Sequence, residues 1–183
     1  MACVAEGFFM VQVPVGLYPR VATPVAVVGS SIVLLLACAA LANAALQGAA
    51  MPYVLRRGAV IAHLATVLLA LPLGISQLVL PKGTIRHRVV GYVWCGLMMA
   101  TALISFAVHG INPGGLSFIH LFSIMTLVMT PVIVFSARAG QAARHQRAVL
   151  GLMIGALVIA GLFTFLPGRA LGELVGQLFA AWR

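Results

Sequence analysis

The sequence predicts an all-α integral membrane protein: a helical bundle of about five transmembrane helices with a short amphipathic helix lying in the interface after it. Three observations carry this reading. Of the 183 residues, 63% are hydrophobic and only 7% charged, a balance that a water-soluble domain of this size does not carry. The apolar residues gather into five stretches near the roughly 20 residues that cross a hydrocarbon core about 30 Å thick. The basic residues fall almost entirely in the short connections between those stretches.

Taken in order, residues 1–23 read as an interfacial arm. "EGFFMVQVPVGLYPR" is broken by Pro14 and Pro19, and no basic segment precedes it, so it does not have the form of a cleaved signal peptide. Residues 24–48 form an extra N-terminal span. Its "GSSIVLLLACAALANAA" places small residues at helical intervals, which lets backbones approach closely where lipid offers no hydrophobic drive. The four-helix core occupies 58–166, with spans at 58–80, 84–110, 117–138 and 141–166. Pro52 with Arg56 and Arg57, then "LPKGT", "GINPGG" and "ARAGQAARHQR", separate them. Connections of this length imply antiparallel neighbours.

Within the core, Thr84 is placed to cap the third span, and Pro72 and Pro131 are expected to bend the second and fourth. In 167–183, Arg169, Glu173 and Gln177 recur four apart opposite Leu171, Leu174, Leu178 and Trp182, the pattern of a helix lying in the interface or docking a partner.

Charge fixes the expected orientation. Arg20, Lys82, Arg86, Arg88, Arg138, Arg144 and Arg147 fall on one side, and Arg56, Arg57, Arg169 and Arg183 on the other. The side richer in cations is expected to face the cytoplasm, which places the N-terminus inside and makes the protein multi-pass in a bacterial inner membrane. The net charge of +9 is therefore read as a topology signal and not as a nucleic-acid surface. Glu6 and Glu173 are the only acids, so carboxylate acid–base chemistry and carboxylate metal cages are excluded. Cys3, Cys38 and Cys95 show neither C-x-x-C nor C-x-x-C-H spacing, which argues against covalent haem and against a disulfide framework.

The five histidines sort by side. His63, His109 and His120 belong to the outer ends of their spans, and His87 and His145 to the inner ends. A b-type haem in a helical bundle needs two imidazoles at similar depth on different helices, with cations near its propionates. His63 with His120 forms one such pair and His87 with His145 a second. Arg56 and Arg57 flank the first, and Arg86, Arg88, Arg144 and Arg147 the second. Two haems at these depths would carry electrons across the membrane. Three alternatives stand beside that. His63, His109 and His120 could together ligate zinc or copper. A quinone site could use one of them with Phe118 or Phe122. Cations and histidines at span ends also snorkel to the surface with no ligand at all, as in an accessory subunit of a larger respiratory or photosynthetic complex.

The pieces "KGTIRHR", "LSFIH" and "FTFLPGR", taken together over about residues 58–170, resemble a family of uncharacterised bacterial membrane proteins built from four spans. That likeness implies a fold and little chemistry, and the arm and first span lie outside it. More distantly, the alternation of His63, His87, His120 and His145 is similar to transmembrane di-haem b-type cytochromes of the ascorbate-dependent kind. That similarity implies one ligand histidine on each of four helices. The interval of 24 residues from His63 to His87 is short for the pattern, and His109 is additional to it.

Overall fold

The computed structural model describes residues 18–47, 52, 55, 57–108 and 117–180. Among them all regular structure is helical, and five helices are long and apolar enough to cross a membrane. These are α1 (Tyr18–Leu46), α2 (Gly58–Val79), α3 (Ile85–Ser105), α4 (His120–Arg138) and α5 (Ala142–Phe163). A shorter helix, α6 (Ala170–Ala180), follows. The arm up to residue 17, Arg56, His109, Trp182 and Arg183 lie outside the described residues.

Local chemistry explains the ends. α1 is already helical at Tyr18, so residues 18–23, expected in the arm, belong to the span. Pro24 is then carried inside the helix, as are Pro72 in α2 and Pro131 in α4. Thr84 caps α3 as its sequence position predicts, its Oγ1 accepting the His87 amide at 3.1 Å. Lys82 donates to the carbonyls of Leu78 and Leu80, supplying partners to the exposed end of α2. α4 ends on Gly140 at φ 68°. The Gln141 amide reaches back to the Ser136 carbonyl at 2.9 Å and the Gly140 amide to Ala137 at 3.2 Å, a Schellman closure that turns the chain into α5.

Successive helices pack side by side, α2 on α3, α3 on α4 and α4 on α5, while α1 lies against both α2 and α5. The interior is filled by Leu71, Trp94, Met98, Leu150, Leu152 and Met153. α5 widens into a π-helix over Met153–Ile159, a turn spacing that buries Met153, Leu157 and Val158 together. α1 and α5 interlock through glycines: a Cβ on Gly29 would stand 2.7 Å from Val158, and one on Gly161 2.9 Å from Val33. α6 covers the far end of α1, burying Leu171 and Leu174 against Ala40 and Ala44.

Candidate functional site

α1, α3 and α5 begin, and α2 and α4 end, at the side of the bundle that carries most of the cations. A cavity of about 910 Å³ opens among them. Its wall takes Gln77 from α2, Lys82 from the α2–α3 turn, His87 and Trp94 from α3, Arg138 from α4 and His145 from α5. The Thr84 cap fixes His87 in the first turn of α3, and the Schellman turn brings His145 to the matching depth on α5.

The His87 and His145 rings form an edge-type pair with centroids 6.5 Å apart and planes at 73°. Nδ1 of His145 lies 2.9 Å from the Ile133 carbonyl. A carbonyl only accepts, so this nitrogen carries the proton and Nε2 keeps a free lone pair. Nδ1 of His87 is buried with no partner. No family model, curated protein or solved structure matches this chain.

Charge around this cavity is one-sided. Arg88 and Arg138 line it, and Arg86 borders a smaller adjoining cavity of about 230 Å³. Arg144 donates to Gln141 at 3.3 Å, and both it and Arg147 are exposed on α5. The one acid among the described residues, Glu173, belongs to α6 at the opposite end. Desolvation pulls the Lys82 ammonium below the ordinary lysine value.

The other end is built differently. His63 on α2 and His120 on α4 each meet α3. Nδ1 of His63 donates to the Thr101 carbonyl at 3.2 Å, which leaves its Nε2 lone pair free. His120 is only 3% exposed and stacks on Phe106 at 5.6 Å. Its Nδ1 lies 2.9 Å from the Ser117 amide and 3.1 Å from both the Ser117 hydroxyl and carbonyl. The amide makes the shortest of these contacts and can only donate, so Nδ1 accepts and the proton sits on Nε2, which is buried without a partner. Arg57 immediately precedes α2 at this end. Because His109 is not among the described residues, the three-histidine set is placed only through His63 and His120. Among the described residues no three His, Cys, Asp or Glu side chains group as a metal site.

Two cavity residues are not among the sites named from sequence. Gln77 is 8% exposed and no hydrogen bond joins its carboxamide to any described residue. Trp94 is 2% exposed, forms part of the cavity wall, and packs against Gly74 and Met153.

Proposed function

We propose that this chain is a membrane-bound b-type haem protein that carries electrons within the bilayer, with its haem held at the basic end by His87 and His145. The separation of those two rings carries the reading. Two imidazoles bonded to one metal at about 2 Å each would place their ring centres roughly 6 Å apart, and the observed separation is 6.5 Å. The 73° between planes is compatible, because ligation of one metal by two imidazoles would not require their rings to be coplanar.

The remaining residues suit the same group. The cavity falls in the size range of small-molecule and cofactor sites. The Ile133 carbonyl orients His145 as carbonyls orient other ligating histidines. Arg88 and Arg138 line the cavity, and their planar forks would hold the propionates of a bound haem. When bound, haem supplies reversible one-electron chemistry at its iron. Around it the chain supplies buried apolar walls from Trp94 and Cys95 that exclude water, and cations that favour the reduced state, since reduction lowers the positive charge on the metal. The proposal is for one haem per chain. His120 holds its proton on Nε2, so a second haem at the other end would require that ring to exchange tautomers. The location goes with the reading: the bacterial inner membrane, with the basic end on the cytoplasmic side.

The test is a dithionite-reduced minus oxidised visible spectrum of detergent-purified protein, with haem counted per polypeptide. One haem per chain is expected, lost in His87→Ala and in His145→Ala but kept in His63→Ala and His120→Ala. Colourless protein from haem-replete cells would overturn the reading in favour of an accessory subunit without a cofactor. Two haems would restore the pair at each end.

A further inference from the structure

Gln77 and His87 together form the wall between the two cavities at the basic end, since both residues line both spaces. Nδ1 of His87 is buried and partnerless, which is costly for a polar group. The carboxamide of Gln77, on a side chain only 8% exposed, borders the same cavities and makes no hydrogen bond to a described residue. They are also close. Oε1 of Gln77 stands 3.4 Å from where a Cβ on Gly91 would lie. Gly91 follows His87 by one helical turn on the same face of α3, where neighbouring Cβ positions are about 5–6 Å apart. Gly91 therefore clears the space in which the Gln77 carboxamide reaches toward the imidazole.

We infer that Gln77 is the residue that positions His87 as a haem ligand: with haem bound, its Oε1 would accept the Nδ1–H of His87, which has no partner in this structure, leaving Nε2 for the iron. The inference rests on the haem reading above. It gives His87 the counterpart of the carbonyl that Ile133 provides for His145, so that both rings are held in the ligating tautomer. The two partners differ in kind. The carbonyl of Ile133 belongs to the backbone of α4 and is fixed, while Gln77 is a side chain that substitution can change. The hydrogen bond draws the imidazole proton toward oxygen, makes Nε2 a stronger donor and favours the oxidised iron. Gln77 thus sets part of the redox potential without touching the metal.

Potentiometric titration of purified wild type, Gln77→Leu, Gln77→Glu and Gly91→Val tests this, with gel filtration and helical circular dichroism as controls for folding. Gln77→Leu removes the acceptor. Its potential should move upward, and haem affinity should fall roughly ten- to a hundredfold, the usual cost of losing a ligand's outer partner. Gln77→Glu keeps an acceptor and adds charge, so it should retain haem and move the potential downward. Gly91→Val should displace the carboxamide and shift the potential in the same direction as Gln77→Leu. Folded Leu and Glu variants with wild-type potential and haem retention would overturn the role of Gln77 while leaving the haem reading standing. A wild-type protein without haem would overturn both.

Discussion

At the scale of single residues, close packing sets the strongest constraints. A Cβ on Gly74 would lie 2.6 Å from Met153 Sδ and 2.8 Å from Trp94 Nε1. The two neighbours are almost fully buried, so neither moves aside freely. Gly74→Ala is expected to destabilise the protein by about 1–3 kcal/mol, the usual cost of overpacking, read as a lowered thermal midpoint in detergent. The Ser105 and Ser123 hydroxyls, 2.6 Å apart across α3 and α4, are a milder case. Ser123→Ala should cost only about 0.6 kcal/mol, because the hydroxyl of Ser105 also reaches the Ala102 carbonyl. Sequence made some of this legible. Thr84 stands one residue before an apolar helix and can be read as its cap, and the sorting of histidines by side puts His87 and His145 at one depth. Tautomers cannot be read that way. Whether Nδ1 donates or accepts depends on which backbone group faces the ring, and for His145 that group, the Ile133 carbonyl, lies twelve residues away on another helix.

At the scale of elements, the five long helices follow from apolar stretches of the right length, and their bounds differ most from expectation at the N-terminal side of α1, helical from Tyr18, and at the end of α3, which stops at Ser105 and not at 110. The π-helix in α5 was not legible. Its widened turns answer to what surrounds α5, where α1 and α4 contact the same segment, and no local residue pattern encodes that demand. The reciprocal fit of Gly29 with Val158 and Gly161 with Val33 was foreshadowed only as a general run of small residues. It yields a double-mutant test. Gly29→Ala crowds the seam and Val158→Ala opens it, each costing about 1 kcal/mol or more. Combined, they should cost less than their sum by about 0.5–3 kcal/mol, measured by unfolding in detergent, since the added methyl fills the space the valine vacates. Strict additivity would mean that the two helices do not interlock there.

For the whole molecule, five helices are long and apolar enough to cross the bilayer, and if all five cross, the two chain ends are expected on opposite sides. Reporter fusions or impermeant labels at the N- and C-termini are expected to give opposite accessibility; equal accessibility would show that one of the five helices does not cross. The basic end collects Arg20, Lys82, Arg86, Arg88, Arg138, Arg144 and Arg147, and the single described acid lies at the far end. This distribution was fully legible in sequence, because it depends only on which loops hold cations. The cavity it surrounds was not, because that volume is made by residues from five helices and the turns between them.

The contact of α6 with α1 bears on the order of synthesis. α1 is the first of the described helices to leave the ribosome, yet the cover over Ala40 and Ala44, begun by Leu64 of α2, is completed by Leu171 and Leu174, which are made more than a hundred residues later. Until then this stripe is only partly packed. The nascent chain therefore spends most of its translation with its first helix waiting for its last, and a quality-control factor that samples unpaired small-residue faces in the bilayer would find its signal there.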